Sequence, residues 1–274
     1  MKKIFTLLCV ALCATSLFAN VVTGTCGDNL QWAYDTDTKA LTITGSGDMY
    51  WDFGKRPWEQ VAGNITSVSL PDGLTSIEGG AFQNCQSLTS ITIPNGVTSI
   101  GGNSFENCYA LSSISIPNSV ISIEDGAFQH CLSLTSITIP NGVTIIKRLT
   151  FYNCSSLTEV IIPNSVTHIG DQAFLDCPSL VSITLPNSIT TIEVGTFSGC
   201  NSLTSITIPS SVENIGGNAF YDCDQVTMEG STPPSIETST FNDNAMILVP
   251  CSAMDNYLSA PIWQFMDLKG YNYK

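Results

Sequence analysis

Residues 88–108 read LTSITIPNGVTSIGGNSFENC, and this pattern decides the fold because it recurs along the chain without an insertion. Four residue types return every 23 residues over seven units. The aromatic position is held by Phe82, Phe105, Phe128, Phe151, Phe174, Phe197 and Phe220. The thiol position is held by Cys85, Cys108, Cys131, Cys154, Cys177, Cys200 and Cys223. Such regularity indicates a stacked repeat array.

Each unit combines short extended pieces with turns. Ile91 and Ile93 alternate with polar neighbours, which predicts a strand with one buried face. Pro94 ends this strand because it has no N–H for a ladder. Residues 97–100 can form a second extended piece, and residues 104–107 have room for a single turn of the 3₁₀ kind.

The unit therefore predicts one coil of a solenoid. Six side chains should point inward and form columns along the axis, namely Leu88, Ile91, Ile93, Val97, Ile100 and Phe105. Neighbouring strands should lie about 4.8 Å apart. No unit can bury its own apolar face, so we expect the array to fold only as a stack.

The repeat resembles the BspA-like (Treponema-type) leucine-rich repeat, most clearly in residues 180–200 and 203–223. The resemblance implies an α/β fold: a right-handed, strand-rich leucine-rich-repeat solenoid with short 3₁₀ turns, capped at both ends. It also implies a bacterial secreted or cell-surface protein, and some relatives are implicated in adhesion. A sorting or anchoring domain is often appended in this family, but none is recognised before Lys274.

The chain divides into four parts. Residues 1–19 are predicted to be a signal peptide, with Lys2 and Lys3 before an apolar run and Ala19 before the cut. Residues 20–65 are predicted to form a β-hairpin cap, residues 66–226 seven repeats, and residues 227–274 a C-terminal cap. We expect a secreted, extracellular or surface location, without a transmembrane segment after signal removal.

The net charge of −14 argues against nucleic acid as a partner, because phosphate binding needs a basic groove. It argues equally against an anionic membrane surface. Colloidal solubility accounts for the acidity, and attraction of a basic partner or of divalent cations stays open.

The repeated cysteines are predicted to be free thiols packed in the core. Stacked neighbours would be close enough for a disulfide, but their Cβ vectors would run parallel, which the bond geometry disfavours. A metal ladder is the alternative, although His or Asp ligands beside the thiols are lacking. Cys26 and Cys251 lie near opposite ends, so we do not expect them to pair.

No catalytic, cofactor or metal residue is predicted, and the chain is interpreted as a non-enzyme. His130 and His168 occupy different repeat positions, so they should not form a metal pair. Glu159 is the single carboxylate at the outward sheet positions of the repeats, whereas glycosidases need two carboxyl groups about 5–10 Å apart.

The candidate partner-binding residues are the outward positions of the strands, where hydroxyls dominate. They are Ser90, Thr92, Ser113, Ser115, Ser136, Thr138, Glu159, Ile161, Ser182, Thr184, Ser205 and Thr207. A solvated strand face and a hydroxyl platform for a protein or glycan are both compatible with them. Glu159, Ile161 and Val181 interrupt this series of Ser and Thr residues. They indicate either a contact patch or a drifted repeat.

Lys147 and Arg148 form the one basic pair of the repeats, and they are interpreted as an anchor for a carboxylate or as a plain surface substitution. Taken together, the sequence predicts an extracellular interaction or adhesion module that binds protein or glycan. A structural spacer of the cell envelope without a specific ligand is the alternative, and a glycan-active enzyme is a weaker third hypothesis.

Overall fold

The computed structural model describes residues 20–51 and 55–272, so the predicted signal peptide lies outside the described residues. The chain opens with three antiparallel strands: β1 (Val21–Thr25), β2 (Leu30–Asp35) and β3 (Ala40–Asp48). A 3₁₀ helix, Glu59–Asn64, follows them. β3 then pairs in parallel with the first strands of the solenoid, which attaches this hairpin unit to the stack.

Two rows of strands run along the stack. The sheet face carries β4 (Ser67–Ser69), β6 (Ser90–Thr92), β8 (Ser113–Ser115), β10 (Ser136–Thr138), β12 (Glu159–Ile161), β15 (Ser205–Ile208) and β17 (Gln225–Met228). The lateral face carries β5 (Gly73–Ile77), β7 (Ser99–Ile100), β9 (Ser122–Ile123), β11 (Ile145–Ile146), β13 (His168–Ile169), β14 (Thr191–Ile192) and β16 (Asn214–Ile215). We call the repeats coils 1 to 7, beginning at residues 66, 89, 112, 135, 158, 181 and 204.

The third side of each coil contains its Phe and Cys, and we call it the turn side. Its hydrogen bonds differ from those of the predicted 3₁₀ turn. Bonds between residues three apart are present but occur at alternate residues, as in Ser104 N–H to Gly101 O and Glu106 N–H to Asn103 O. The intervening amides, such as that of Phe105, donate to the next coil instead. Every second amide thus closes a turn while its neighbour joins two coils.

The turn side needs left-handed backbone at fixed positions. In coil 2 these are Asn103 (φ 54°) and Asn107 (φ 60°), and asparagine tolerates this region better than most residues do. Corresponding positions in other coils are held by Gly80, Asn84, Gly126, His130 and Gly195, among others.

The six predicted inward columns are confirmed, since Leu88, Ile91, Ile93, Val97, Ile100 and Phe105 are all buried. The phenylalanine column is the most regular. From Phe82 to Phe220, neighbouring rings stack with centroids 5.3–5.6 Å apart and interplanar angles of 24° or less. Such aromatic pairs contribute about 0.5–1.5 kcal/mol each beyond their area burial.

The thiols form a second regular column beside the rings. Each thiol from Cys108 to Cys200 donates to the carbonyl of the phenylalanine in the preceding coil, as Cys108 Sγ does to Phe82 O at 3.1 Å. Burial raises the pKa of Cys85 and of Cys223 to about 12. Cys85 and Cys223 therefore stay protonated at neutral pH, and the five thiols from Cys108 to Cys200 are hydrogen-bonded core groups.

Tryptophans close both ends of the ring column. Trp58 stacks on Phe82, and its indole N–H donates to Ala81 O at 2.8 Å. At the other end Trp263 packs on Phe241, and its N–H donates to Pro234 O at 2.7 Å. The buried indole N–H groups of Trp58 and Trp263 are thus both satisfied by carbonyls of the outermost turns.

The predicted C-terminal cap continues the stack before it ends it. β17 pairs in parallel with β18 (Met246–Pro250), and β18 pairs with β19 (Leu268–Tyr271). Between these strands lie the 3₁₀ helices Cys251–Ala253 and Trp263–Phe265 and the helix α1 (Met254–Ser259). Within the described ranges, no helix is long and apolar enough to cross a bilayer.

The strands of the sheet face do not form one continuous ladder. β6 pairs with β8, β10 pairs with β12, and β15 pairs with β17. Coil 6 contributes no strand there, because residues 182–184 pair with neither neighbouring coil. The strands of the sheet face therefore pair in separate groups, and Ile91 lies opposite Ile114 as the stacking of the coils predicts.

Truncation of one central ring should destabilise the whole stack. Phe151→Ala is expected to lower the free energy of unfolding by about 3–5 kcal/mol, because it removes a buried ring and leaves a cavity between two others. Urea unfolding followed by circular dichroism measures this loss. Val194→Ala, at an exposed position, serves as the control and should change stability by less than about 0.5 kcal/mol.

Thiol reactivity should separate the core cysteines from Cys251, which is the one exposed cysteine in the described part of the chain. With Ellman's reagent, we expect one thiol of residues 20–274 to react quickly in the native state and the remainder only on unfolding. A reductant should leave the melting temperature almost unchanged. Rapid labelling of several thiols, or a large drop in melting temperature on reduction, would contradict the buried-thiol assignment.

Candidate interaction surface

All twelve predicted sheet-face residues are exposed. They lie on alternate strand positions, so their side chains leave the core while the intervening Ile91, Ile137, Val160 and Ile206 enter it. The strand period of two residues accounts for this arrangement. The sequence thus placed these side chains on the correct face of the coil.

The hydroxyls of the sheet face differ from many of those elsewhere on the coil in their hydrogen bonding. Ser119, Ser165, Ser188 and Ser211 each donate to a carbonyl of the preceding coil at 2.7 Å. Thr98, Ser112, Thr158, Thr167 and Thr190 also donate along the stack. By contrast, the ten sheet-face Ser and Thr side chains have no hydrogen-bond partner among the described residues. Their donors and acceptors are available to solvent or to a ligand.

Two adjoining grooves open on this face around coil 6. The larger encloses 620 Å³ over coils 6 and 7 and β17, and the smaller encloses 350 Å³ over coils 5 and 6. They share the residues Asn164, Ser182, Ile183, Thr184 and Pro186. The unpaired segment of coil 6 therefore forms the floor between them, and we call the combined feature the sheet-face groove.

The irregular residues occupy one side of the sheet-face groove. Glu159 and Ile161 line its smaller part, and Ile161 is 52% exposed. Val181 is 62% exposed and lies next to Ser182, but it does not line either part. An apolar contact area thus adjoins hydroxyl groups, as is common at interaction sites.

Sequence reasoning missed several lining residues. Asn164 and Asn187 follow the strand-ending prolines, and a recurrent asparagine at this turn was the available signal. Gln225, Thr227 and Glu229 belong to or follow β17, which lies at the boundary of the predicted C-terminal cap. These three residues line the groove because β17 pairs with β15 and so extends the sheet face by one strand.

The sheet-face groove is nearly neutral although the chain is acidic. Among its lining residues only Glu159 and Glu229 carry charge, one at each end. They are separated by three strand spacings, which at about 4.8 Å per spacing is roughly 14 Å. This separation exceeds the range for the paired carboxyl groups of glycosidases.

The basic pair at the turn of coil 4 has two different environments. Lys147 Nζ forms an ion pair with Glu124 of coil 3. Arg148 is exposed and has no ion-pair partner among the described residues. The Lys147 ammonium is thus engaged within the stack, and Arg148 is the member of the pair that faces solvent.

The two histidines lie apart, as their repeat positions predict. His130 on the turn side bonds Asn153 at 2.9 Å, and His168 on the lateral face contacts Glu193 at 3.2 Å. In the part of the chain that the structure describes, no group of three His, Cys, Asp or Glu side chains has a geometry suited to a metal ion.

The stacked parallel strands, the columns of Leu, Ile and Phe, and the caps define a leucine-rich-repeat solenoid. A profile of the BspA type leucine-rich repeat region matches residues 58–177 and 121–247, in six copies. The chain belongs to this family, so the predicted resemblance and the predicted solenoid of leucine-rich repeats are confirmed. Proteins with this repeat are generally non-catalytic. Membership of the family indicates a repeat protein with a role in interaction.

The chain is similar to several solved bacterial structures. The leucine-rich repeat protein of Treponema pallidum is 28% identical, with 74% of this chain and 85% of that chain covered, at a TM-score of 0.50. A leucine-rich repeat protein from Eubacterium ventriosum is 23% identical, with coverages of 84% and 78% and a TM-score of 0.54. A leucine rich cell surface protein from Faecalibacterium prausnitzii is 24% identical, with coverages of 92% and 95% and a TM-score of 0.46. No curated protein matches the chain.

The Glu124–Lys147 pair should make stability depend on pH. The hydrogen bond from Lys147 lowers the pKa of Glu124 in the folded state, so the pair stabilises above the unfolded pKa and this contribution is lost as pH falls through the folded pKa. Glu124→Gln should lower the free energy of unfolding at pH 7 by about 0.2–1 kcal/mol, as for other partly exposed pairs. Urea titrations at pH 7 and about pH 2 measure the difference, which should vanish in acid.

Glu213→Gln is the control for this experiment, because Glu213 is exposed and its side chain has no ion pair among the described residues. It should have little effect at either pH. An equal loss of stability for Glu124→Gln at both pH values would show that the ion pair contributes nothing.

Proposed function

We propose that this protein is a non-catalytic interaction module, exposed outside the bacterial cell, that binds a protein or glycan partner through the sheet-face groove. The observation that carries this proposal is the contrast between hydroxyl groups. Many hydroxyl groups elsewhere on the coil, such as those of Ser119 and Thr158, are bonded along the stack, whereas those on the sheet face are unpartnered within the described chain.

The shape of the groove supports the same proposal. Its two parts follow one another across coils 5 to 7, which suits an elongated ligand lying along the solenoid axis. Ile161 and Val181 offer apolar contact at one end, where burial on binding would contribute favourably. The rigid stack keeps these groups in place before binding, which reduces the entropic cost of association.

The lining chemistry selects a neutral polar partner. Hydroxyl and amide groups supply both donors and acceptors, and the net negative charge of the chain disfavours acidic ligands. The residues that line the groove include no aromatic ring on which the face of a sugar would pack. Within the proposed class, this favours a polypeptide segment over a glycan.

A binding screen with a matched pair of variants tests the proposal. The mature chain is titrated against purified extracellular-matrix proteins and against a glycan array, and every binder is measured again with Glu159→Ala/Ile161→Ser/Val181→Ser. We expect this variant to bind at least about tenfold more weakly, because loss of a contact cluster typically exceeds 1.4 kcal/mol.

The control variant is Glu213→Ala/Ile145→Ser/Val194→Ser, which makes the same kinds of change at exposed positions off the sheet face. It should bind like the unmodified chain. Equal binding by both variants would place the contact surface elsewhere on the molecule. If no protein or glycan binds, the envelope-spacer function replaces this proposal.

A further inference from the structure

The lateral face is interrupted at one junction of the repeat stack. β5, β7 and β9 form one parallel ladder, and β11, β13, β14 and β16 form another. No pairing joins β9 in coil 3 to β11 in coil 4. Every other junction between neighbouring repeats keeps its lateral ladder.

The sheet face is interrupted at the same place. β8 of coil 3 is not paired with β10 of coil 4, although each is paired on its other side. The serine that bonds to the preceding coil in coils 3, 5, 6 and 7 is replaced in coil 4 by Gly142. The junction between coils 3 and 4 therefore lacks three kinds of bond at once.

The turn side remains intact across this junction. The amides of Gly126, Phe128 and His130 donate to carbonyls of coil 4 at 2.8–2.9 Å, and the rings of Phe128 and Phe151 stay stacked. The Glu124–Lys147 ion pair crosses the junction between the turn side and the lateral face. The connections that survive are thus concentrated along one edge of the coils.

Unusual side chains mark the open edge. Ile121 takes a position that is threonine in coils 2, 4, 5 and 6, and it is 63% exposed. Ile145 of coil 4, on the same face, is 43% exposed. A Cβ atom on Gly142 would lie 2.8 Å from Ile121 Cγ2, so the packing beside the open edge differs from that of the regular coils.

We infer that the junction between coils 3 and 4 is a joint, at which residues 20–134 and residues 135–272 act as two cooperative blocks that open about the turn side. In repeat arrays, stability is approximately a sum of unit and nearest-neighbour terms, so a weak interface uncouples the units on either side of it. The Glu124–Lys147 ion pair acts as a latch on this joint, and the stacked phenylalanines act as its hinge.

Native-state hydrogen exchange of the full chain, measured by mass spectrometry at increasing urea below the global transition, tests the joint. We expect peptides from the two blocks to follow two separate opening curves. At the junction, the amides of Thr144 and Lys147 should exchange much faster than the corresponding Thr167 and Gly170, which are bonded to the preceding coil.

A pair of charge-removing variants tests the latch. Glu124→Gln should raise the opening rate of peptides beside the junction about two- to fivefold, as expected for a partly exposed ion pair. The control is Glu106→Gln, since Glu106 bonds Gln83 of the preceding coil across a junction whose lateral ladder is intact. It should leave the two opening curves unchanged.

Two results would overturn the inference. A single opening curve shared by peptides from both blocks would show that the stack opens as one unit. An equal response to Glu124→Gln and Glu106→Gln would show that the junction is no weaker than its neighbours. Both variants replace partly exposed side chains, so both should fold.

Discussion

Burial of one coil against the next is the constraint on which the whole structure depends. A 23-residue unit has apolar side chains on one side of each short strand and no second layer of its own to cover them. Only a neighbouring coil can exclude water from Ile91 or Phe105, and the end coils need the tryptophans of the caps for the same purpose. The caps, the side-chain columns and the turns therefore all serve to bury the apolar face of each coil.

Hydrogen bonding is subordinate to this burial. The aromatic column continues through every repeat junction, whereas each of the two rows of strands is interrupted at one or more of them. Side-chain packing tolerates a shift of a few tenths of an ångström, but a backbone hydrogen bond weakens steeply with distance and angle. The same loss of pairing gives coil 6 its open floor and separates coils 3 and 4 on two faces.

The regular part of the molecule was predictable because each inward position repeats the same residue type. The sheet-face groove was not, because residues 182–184 have the composition of an ordinary strand and their lack of pairing depends on the relative placement of coils. Gln225 was missed for another reason: it pairs with Ser205 at a step of 20 residues rather than 23, so the repeat phase no longer locates it. The ion pair between Lys147 and Glu124 could have been predicted from the sequence, since the two residues are one repeat apart.

The constant step of 23 residues also bears on how such an array changes its length. Since each regular coil presents the same columns above and below, duplication or deletion of one whole unit leaves the remaining contacts with equivalent partners. Each event would lengthen or shorten the solenoid by about 4.8 Å without redesign of the core or of either cap. A change in the number of repeats encoded by the gene can therefore change the length of the sheet face while leaving its chemistry almost unchanged.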